Sequence, residues 1–102
     1  MANAELSSIS QDRAQLSGDL LNNTVVAVIE PGKKLMAAAA ENWTLDMVAV
    51  ERVSSAGVAL LLEWLRYARS RNLEFKIENL PSHMQPIIRV SDLEPLFEPL
   101  LS

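Results

Sequence analysis

The chain has 102 residues, a formal net charge of −4, no cysteine and one histidine, with 49% hydrophobic and 22% charged residues. That length suits one domain over residues 1–102, and the apolar fraction excludes a disordered chain. The residue types exclude a disulfide framework, a cysteine nucleophile and a multi-histidine metal site, and the acidic balance disfavours nucleic acid as a partner.

From the N-terminus, Leu6 and Ile9 flank two serines, and Gln11-Asp12-Arg13 reads as a turn. The pattern predicts a hairpin of strands 5–9 and 13–17, stopped by Ser17-Gly18-Asp19. Asn22-Asn23-Thr24 carries short acceptor side chains suited to a helix start. Val25, Val28, Ile29, Leu35, Met36 and Ala39 then follow helical spacing. Pro31 falls inside this pattern, so a kinked or broken helix is expected; Thr24–Ile29 could alternatively form a strand. Trp43–Val48 alternates as a strand with Trp43, Leu45 and Met47 on one face, and Ala49–Val53 reads as a connection. Residues 56–71 form the most apolar helix, wetter at its arginine-bearing end. Leu73–Ile77 alternates as a half-buried strand. Ser82-x-x-Gln85 and Ser91-x-x-Glu94 have capping-box spacing before the last helical segments. The order is ββαβαβα, an α/β domain. Its expected core contains Leu45, Met47, Val58, Leu61, Leu62, Leu65, Phe75, Ile77 and Ile88.

Chemistry-bearing motifs are scarce. Glycines at 18, 32 and 57 match neither a dinucleotide turn nor a P-loop, and there is no Gly-x-Ser-x-Gly elbow. His83 has no orienting carboxylate in view and reads as a helix-start residue. Glu63, Glu74 and Glu78 read as solvated, and Met36, Met47 and Met84 as core filler. No catalytic residue, metal site or cofactor is expected. The longest apolar run, Leu35–Ala40, is six residues, against the roughly twenty that span a membrane. The first five residues lack the basic and apolar regions of a leader. A cytoplasmic chain without direct membrane insertion is therefore expected.

Ser54-Ser55-Ala56-Gly57 stands out, because two hydroxyls enter the most hydrophobic helix. One of them can cap the helix, worth about 1 kcal/mol. The same position would accommodate a phosphate on Ser55 at the positive end of the helix dipole.

Three blocks, in order, resemble the STAS domain. Leu16-Ser17-Gly18-Asp19-Leu20 is similar to the family's LSGELD after its second strand. Leu45-Asp46-Met47 is similar to the third strand's (V/I)-D-L. Val53-Ser54-Ser55-Ala56-Gly57-Val58-Ala59-Leu60-Leu61-Leu62 is similar to its phosphoacceptor loop and following helix. The resemblance covers about Leu6 to Phe97 and implies a four-stranded mixed sheet with helices mainly on one face. It is nearest to the MlaB-like branch, small subunits that bind the cytoplasmic ATPase of an ABC transporter moving phospholipids between the membranes of diderm bacteria. By that resemblance the chain is a non-catalytic interaction subunit, peripheral to the inner membrane through its partner and supporting outer-membrane lipid asymmetry. Its implied contacts are Ser54, Ser55, Ala56 and Gly57, with Glu63, Arg66, Tyr67 and Arg69 as the exposed members of the following helix. The alternative implied is an anti-sigma factor antagonist. In that case an anti-sigma factor kinase would phosphorylate Ser55, the phosphoacceptor-equivalent residue. The family's Asp before the acceptor is Ser54 in this chain.

Overall fold

The computed structural model describes residues 3–101. Strands β1 (Glu5–Ser10) and β2 (Arg13–Leu20) lead to helix α1 (Val26–Ala38). Strand β3 (Asn42–Val53), helix α2 (Ser55–Ser70) and strand β4 (Glu74–Glu78) follow. A 3-10 turn (Ser82–Met84) precedes α3 (Gln85–Val90) and α4 (Glu94–Phe97), and a second one (Glu98–Leu100) comes after them. The sheet order is β1-β2-β3-β4; β1 runs antiparallel to β2, and the other two pairs are parallel. This is the expected mixed four-stranded α/β sheet. Leu101 adds one parallel bridge to Ile77 beside β4.

Alternation decides the two faces of the sheet. Ala14 and Leu16 of β2, Trp43, Leu45 and Met47 of β3, and Phe75 and Ile77 of β4 are buried under the helices. The other face is wetter. There Arg13 pairs with Glu78, and Asp46 accepts from Asn79 Nδ2 at 2.9 Å and Val48 N at 3.0 Å. These donors, with Arg13 nearby, hold the Asp46 carboxyl below the ordinary carboxylate range.

An aromatic cluster ties the layers together. Trp43 meets Trp64 edge to face and stacks on Phe75, each at 5.8 Å between ring centroids. Trp64 also donates its indole N–H to the Ile29 carbonyl of α1 at 3.1 Å. A Cβ on Gly32 would lie 2.4 Å from the Trp64 ring, so α1 and α2 approach as closely as they do because residue 32 has no side chain.

Several sequence expectations need correction. Helix α1 is neither broken nor replaced by a strand: it runs from Val26 through Pro31 to Ala38. Pro31 frees the carbonyl of Ala27, and both residues lie on the exposed face, where water can satisfy it. The Asn22–Thr24 segment does not cap α1, which has no side-chain cap. Thr24 is buried instead, donating to the Asp19 carbonyl at 2.6 Å and accepting from Leu21 N at 2.8 Å. Strand β2 continues past Ser17 to Leu20, and β3 continues through the supposed connection to Val53, because the two ends pair with each other: Gly18 with Val50 and Leu20 with Val53. Leu62 is half-buried against the rim of the core, while the other eight expected core residues are buried. Neither Ser82 nor Ser91 caps a helix: α3 follows the 3-10 turn directly, and α4 begins after Leu93, both without a side-chain cap.

Gly32→Ala sets helix propensity, worth about 1 kcal/mol in favour of alanine, against a clash with a rigid buried ring. The clash should win, giving a net destabilisation of about 2 kcal/mol and a thermal midpoint lower by about 10 °C. Calorimetry checks this, and an unchanged or raised midpoint would refute it. Asp46 gives a pH prediction. Its folded value is lowered, so its contribution to stability is present above the ordinary pKa of about 4 and is lost as pH falls through the lowered value. Denaturation of Asp46→Asn followed across that range should show a shallower acid decline than the unsubstituted chain.

Candidate partner-binding site at the α2 turn

The turn into α2 is built from the ends of two parallel strands and one packed glycine. Ser54 continues β3 in extended conformation (φ −126°, ψ −174°), and its N–H donates to the Leu20 carbonyl at 3.0 Å. Its hydroxyl accepts from Ala56 N at 3.1 Å and lies 3.4 Å from the Leu20 carbonyl. Ser54 is therefore the helix cap. Ser55, the first residue of α2, is exposed, and its hydroxyl has no hydrogen-bond partner among the described residues. The two serines divide the roles that the sequence left joined: one hydroxyl holds the turn and the other faces outward.

Ala56 is half-buried and Gly57 is buried. A Cβ on Gly57 would fall 2.9 Å from Met84 Cε and 3.1 Å from Leu20 Cβ. Gly57 thus lets the first turn of α2 settle onto β2 and the 82–84 turn, and it is a packing residue rather than an exposed contact. His83 lies on the same turn as Met84, with Nε2 3.0 Å from the Glu51 carbonyl, to which it donates. That bond fastens the 82–84 turn to the end of β3.

Farther along α2 the expected exposure holds for Arg66 and Arg69 and fails for Glu63 and Tyr67. Glu63 is half-buried, accepting from Lys33 Nζ of α1 at 2.9 Å and from Arg66 Nη1 at 2.9 Å. Lys33 holds the Glu63 carboxyl below its ordinary range, and Glu63 in turn raises the Lys33 ammonium. Tyr67 is half-buried, with Lys33 Nζ 5.8 Å and Arg71 Cζ 5.6 Å from the centre of its ring. Glu63 and Tyr67 are therefore committed to the α1–α2 seam, and Ser55 is separated from Arg66 by three turns of helix. Beside the turn, α1 and α2 enclose an open groove of about 520 Å³ lined by Val25, Ile29, Ala56, Ala59 and Leu60.

The strand ends also hold a pair that the sequence reading passed over. Asp19, within the Leu16–Leu20 block, is 4% exposed. Its carboxylate accepts from the backbone N–H and from Nε of Arg52, both at 3.2 Å. The only sequence signal for it was an acidic residue between Gly18 and Leu20 in a block with apolar ends. Among the described residues no cluster of three or more His, Asp or Glu is placed to hold a metal ion.

A profile of the family described as Mlab, STAS domain matches residues 7–101. The chain belongs to the MlaB-type STAS-domain family. Solved structures agree on the fold. The phosphorylated form of the Bacillus cell fate determinant SpoIIAA gives a TM-score of 0.69 at 16% identity, over 97% of this chain and 88% of that one. An anti-sigma factor antagonist from Mycobacterium paratuberculosis gives 0.68 at 18%, over 95% and 83%. A sulfate transporter family protein from Wolinella succinogenes gives 0.68 at 13%, over 95% and 80%. No curated protein matches the chain. No helix of this STAS domain, among the described residues, is long and apolar enough to cross a membrane.

The division of labour between the serines is testable by stability alone. Ser54→Ala should lower the unfolding free energy by about 1 kcal/mol, whereas Ser55→Ala should stay within about 0.5 kcal/mol of the unsubstituted chain. Urea unfolding of the two variants checks this, and equal losses would reassign the cap.

Proposed function

We propose that this STAS domain is a non-catalytic interaction subunit that docks through the α2 turn onto the cytoplasmic ATPase of an Mla-type ABC transporter. In that role it supports phospholipid trafficking and outer-membrane lipid asymmetry. The reading treats residues 1–102 as one domain and places the protein in the cytoplasm, held at the inner membrane by its partner. Family membership supports the choice of partner. The observation that carries the choice of surface is the unpaired, exposed Ser55 hydroxyl on a turn whose backbone is fixed by Ser54, Leu20 and buried Gly57. Such a group presents a hydrogen bond with little ordering left to be done on binding. Ser54, Ser55 and Ala56 form the centre of the proposed contact, with Gly57 supporting it from behind. Arg66 extends it along α2, with the half-buried Glu63 and Tyr67 bordering it at the α1–α2 seam.

The second reading is an anti-sigma factor antagonist switched by an anti-sigma factor kinase at Ser55. The exposure of that hydroxyl favours it, because a kinase needs an accessible acceptor. The neutral Ser54 in place of an aspartate weakens it. Incubation with a cognate anti-sigma kinase and phosphate mapping separates the two readings.

Ser55→Asp tests the first. A carboxylate at a helix N-terminus is tolerated or mildly stabilising, so the thermal midpoint should hold. A charge pressed into an interface without a partner should weaken binding by about 2 kcal/mol or more. The expected result is a folded variant that no longer co-purifies with the transporter ATPase. Full retention of the ATPase would remove this turn from the interface.

A further inference from the structure

Asp19 is a buried carboxylate whose two oxygens are both given to one residue. Oδ1 takes the Arg52 backbone N–H and Oδ2 takes Arg52 Nε. Two bonds of this kind fix both the strand and the root of the guanidinium, while the Arg52 side chain remains 64% exposed. The guanidinium carries five N–H donors, and Nε uses one. The donors on Nη1 and Nη2 have no acceptor among the described residues, and Asp19 is the only acidic group paired with Arg52 there. Glu51, also exposed, makes no salt bridge with Arg52 and lines an open groove with Ser17, Gly18 and Ala49. Residue 54, two positions on, is a neutral serine whose hydroxyl is engaged with Ala56 N and the Leu20 carbonyl.

We propose that Arg52, clamped by buried Asp19, presents the outer edge of its guanidinium to a carboxylate of the partner protein, alongside the Ser55 hydroxyl. Arg52 and Ser55 are three residues apart, which keeps their Cα atoms within about 10 Å, so one partner surface can reach both. A planar fork held at its root suits bidentate pairing with a carboxylate. A polyanion such as nucleic acid is a poorer match, because the chain as a whole carries a net charge of −4. Asp19 acts as a positioning residue, and Arg52 makes the contact.

This rests on the α2 turn being the docking surface for the transporter ATPase, so the experiment keeps the two apart. The full-length chain is titrated with the purified ATPase subunit at low and high salt. The set comprises the unsubstituted chain, Ser55→Asp, Arg52→Gln, Arg52→Lys, Asp19→Asn and the Asp19→Asn/Arg52→Gln double variant. Thermal melts confirm that each is folded. Arg52→Gln should weaken binding about tenfold and flatten its salt dependence. Arg52→Lys should recover only part of the loss, since an ammonium cannot form the paired bonds. Asp19→Asn should weaken binding, and the double variant should bind no worse than Arg52→Gln alone, because both remove one contact. If Arg52→Gln binds within about twofold of the unsubstituted chain while Ser55→Asp has lost binding, the Arg52 contact is refuted and the docking turn stands. Additive losses in the double variant would refute the clamp. An unsubstituted chain that does not bind the ATPase overturns the functional reading and the Arg52 contact with it.

Discussion

The contact on which the site depends is the seating of the first turn of α2 on the ends of the sheet. Gly57 packs tightly there: a Cβ would lie 2.9 Å from Met84 Cε and 3.1 Å from Leu20 Cβ. Ser54 bridges the same place, taking the Leu20 carbonyl with its N–H and capping Ala56 with its hydroxyl. Because β2 and β3 are parallel and paired to their last residues, the seat is made from hydrogen-bonded backbone rather than loop. Buried packing and backbone pairing set the position of Ser55, so the exposed hydroxyl needs no interactions of its own to stay in place. A second close approach, Gly32 against Trp64, holds α1 beside α2 farther along the helix.

Charges are distributed in two unlike ways. Most ion pairs are exposed or half-exposed: Glu63 with Lys33 and Arg66, Arg89 with Glu94, and Lys76 with Glu74. Pairs of that sort contribute roughly 0–1 kcal/mol each and are weakened by salt. Asp19 differs because it is buried, and a buried carboxylate without donors is expensive. The donors it has come from the backbone and side chain of the same arginine, and that arginine faces solvent with its remaining edge. Stability and recognition thus draw on different halves of one guanidinium.

Much of the fold could be read from pattern. Trp43, Leu45 and Met47 alternate cleanly because one sheet face is buried and the other is wet, and Phe75 and Ile77 do the same. The end of β3 was hidden because the register shift between Gln15 and Ser17 moves the alternation out of phase, leaving Val48 exposed; Glu51 and Arg52 then follow as consecutive exposed residues. Pro31 misled in the other direction: a proline breaks a helix when the freed carbonyl is dry, and dryness is a tertiary property. At the site, the hydroxyl pair was visible, but the assignment of cap and free group was not, since both serines satisfy the same local preference. Glu63 and Tyr67 looked solvent-facing from helical spacing alone, and only the approach of Lys33 from α1 draws them into the seam. Asp19 carried no pattern that separates a buried acid from a turn residue, because its partner lies thirty-three positions away.

The identity of residue 54 joins these strands of reasoning. Serine and aspartate cap a helix about equally well, so the fold alone does not choose between them. Their electrostatics differ. An aspartate there would add a negative charge two residues from Arg52, an alternative acceptor for the free edge of the guanidinium. Serine performs the cap and leaves that edge uncommitted. A neutral cap also leaves the positive end of the α2 dipole less compensated, so the field around the turn favours an incoming negative group. A capping residue of equal structural merit can thereby change the charge that a shared fold presents at this turn.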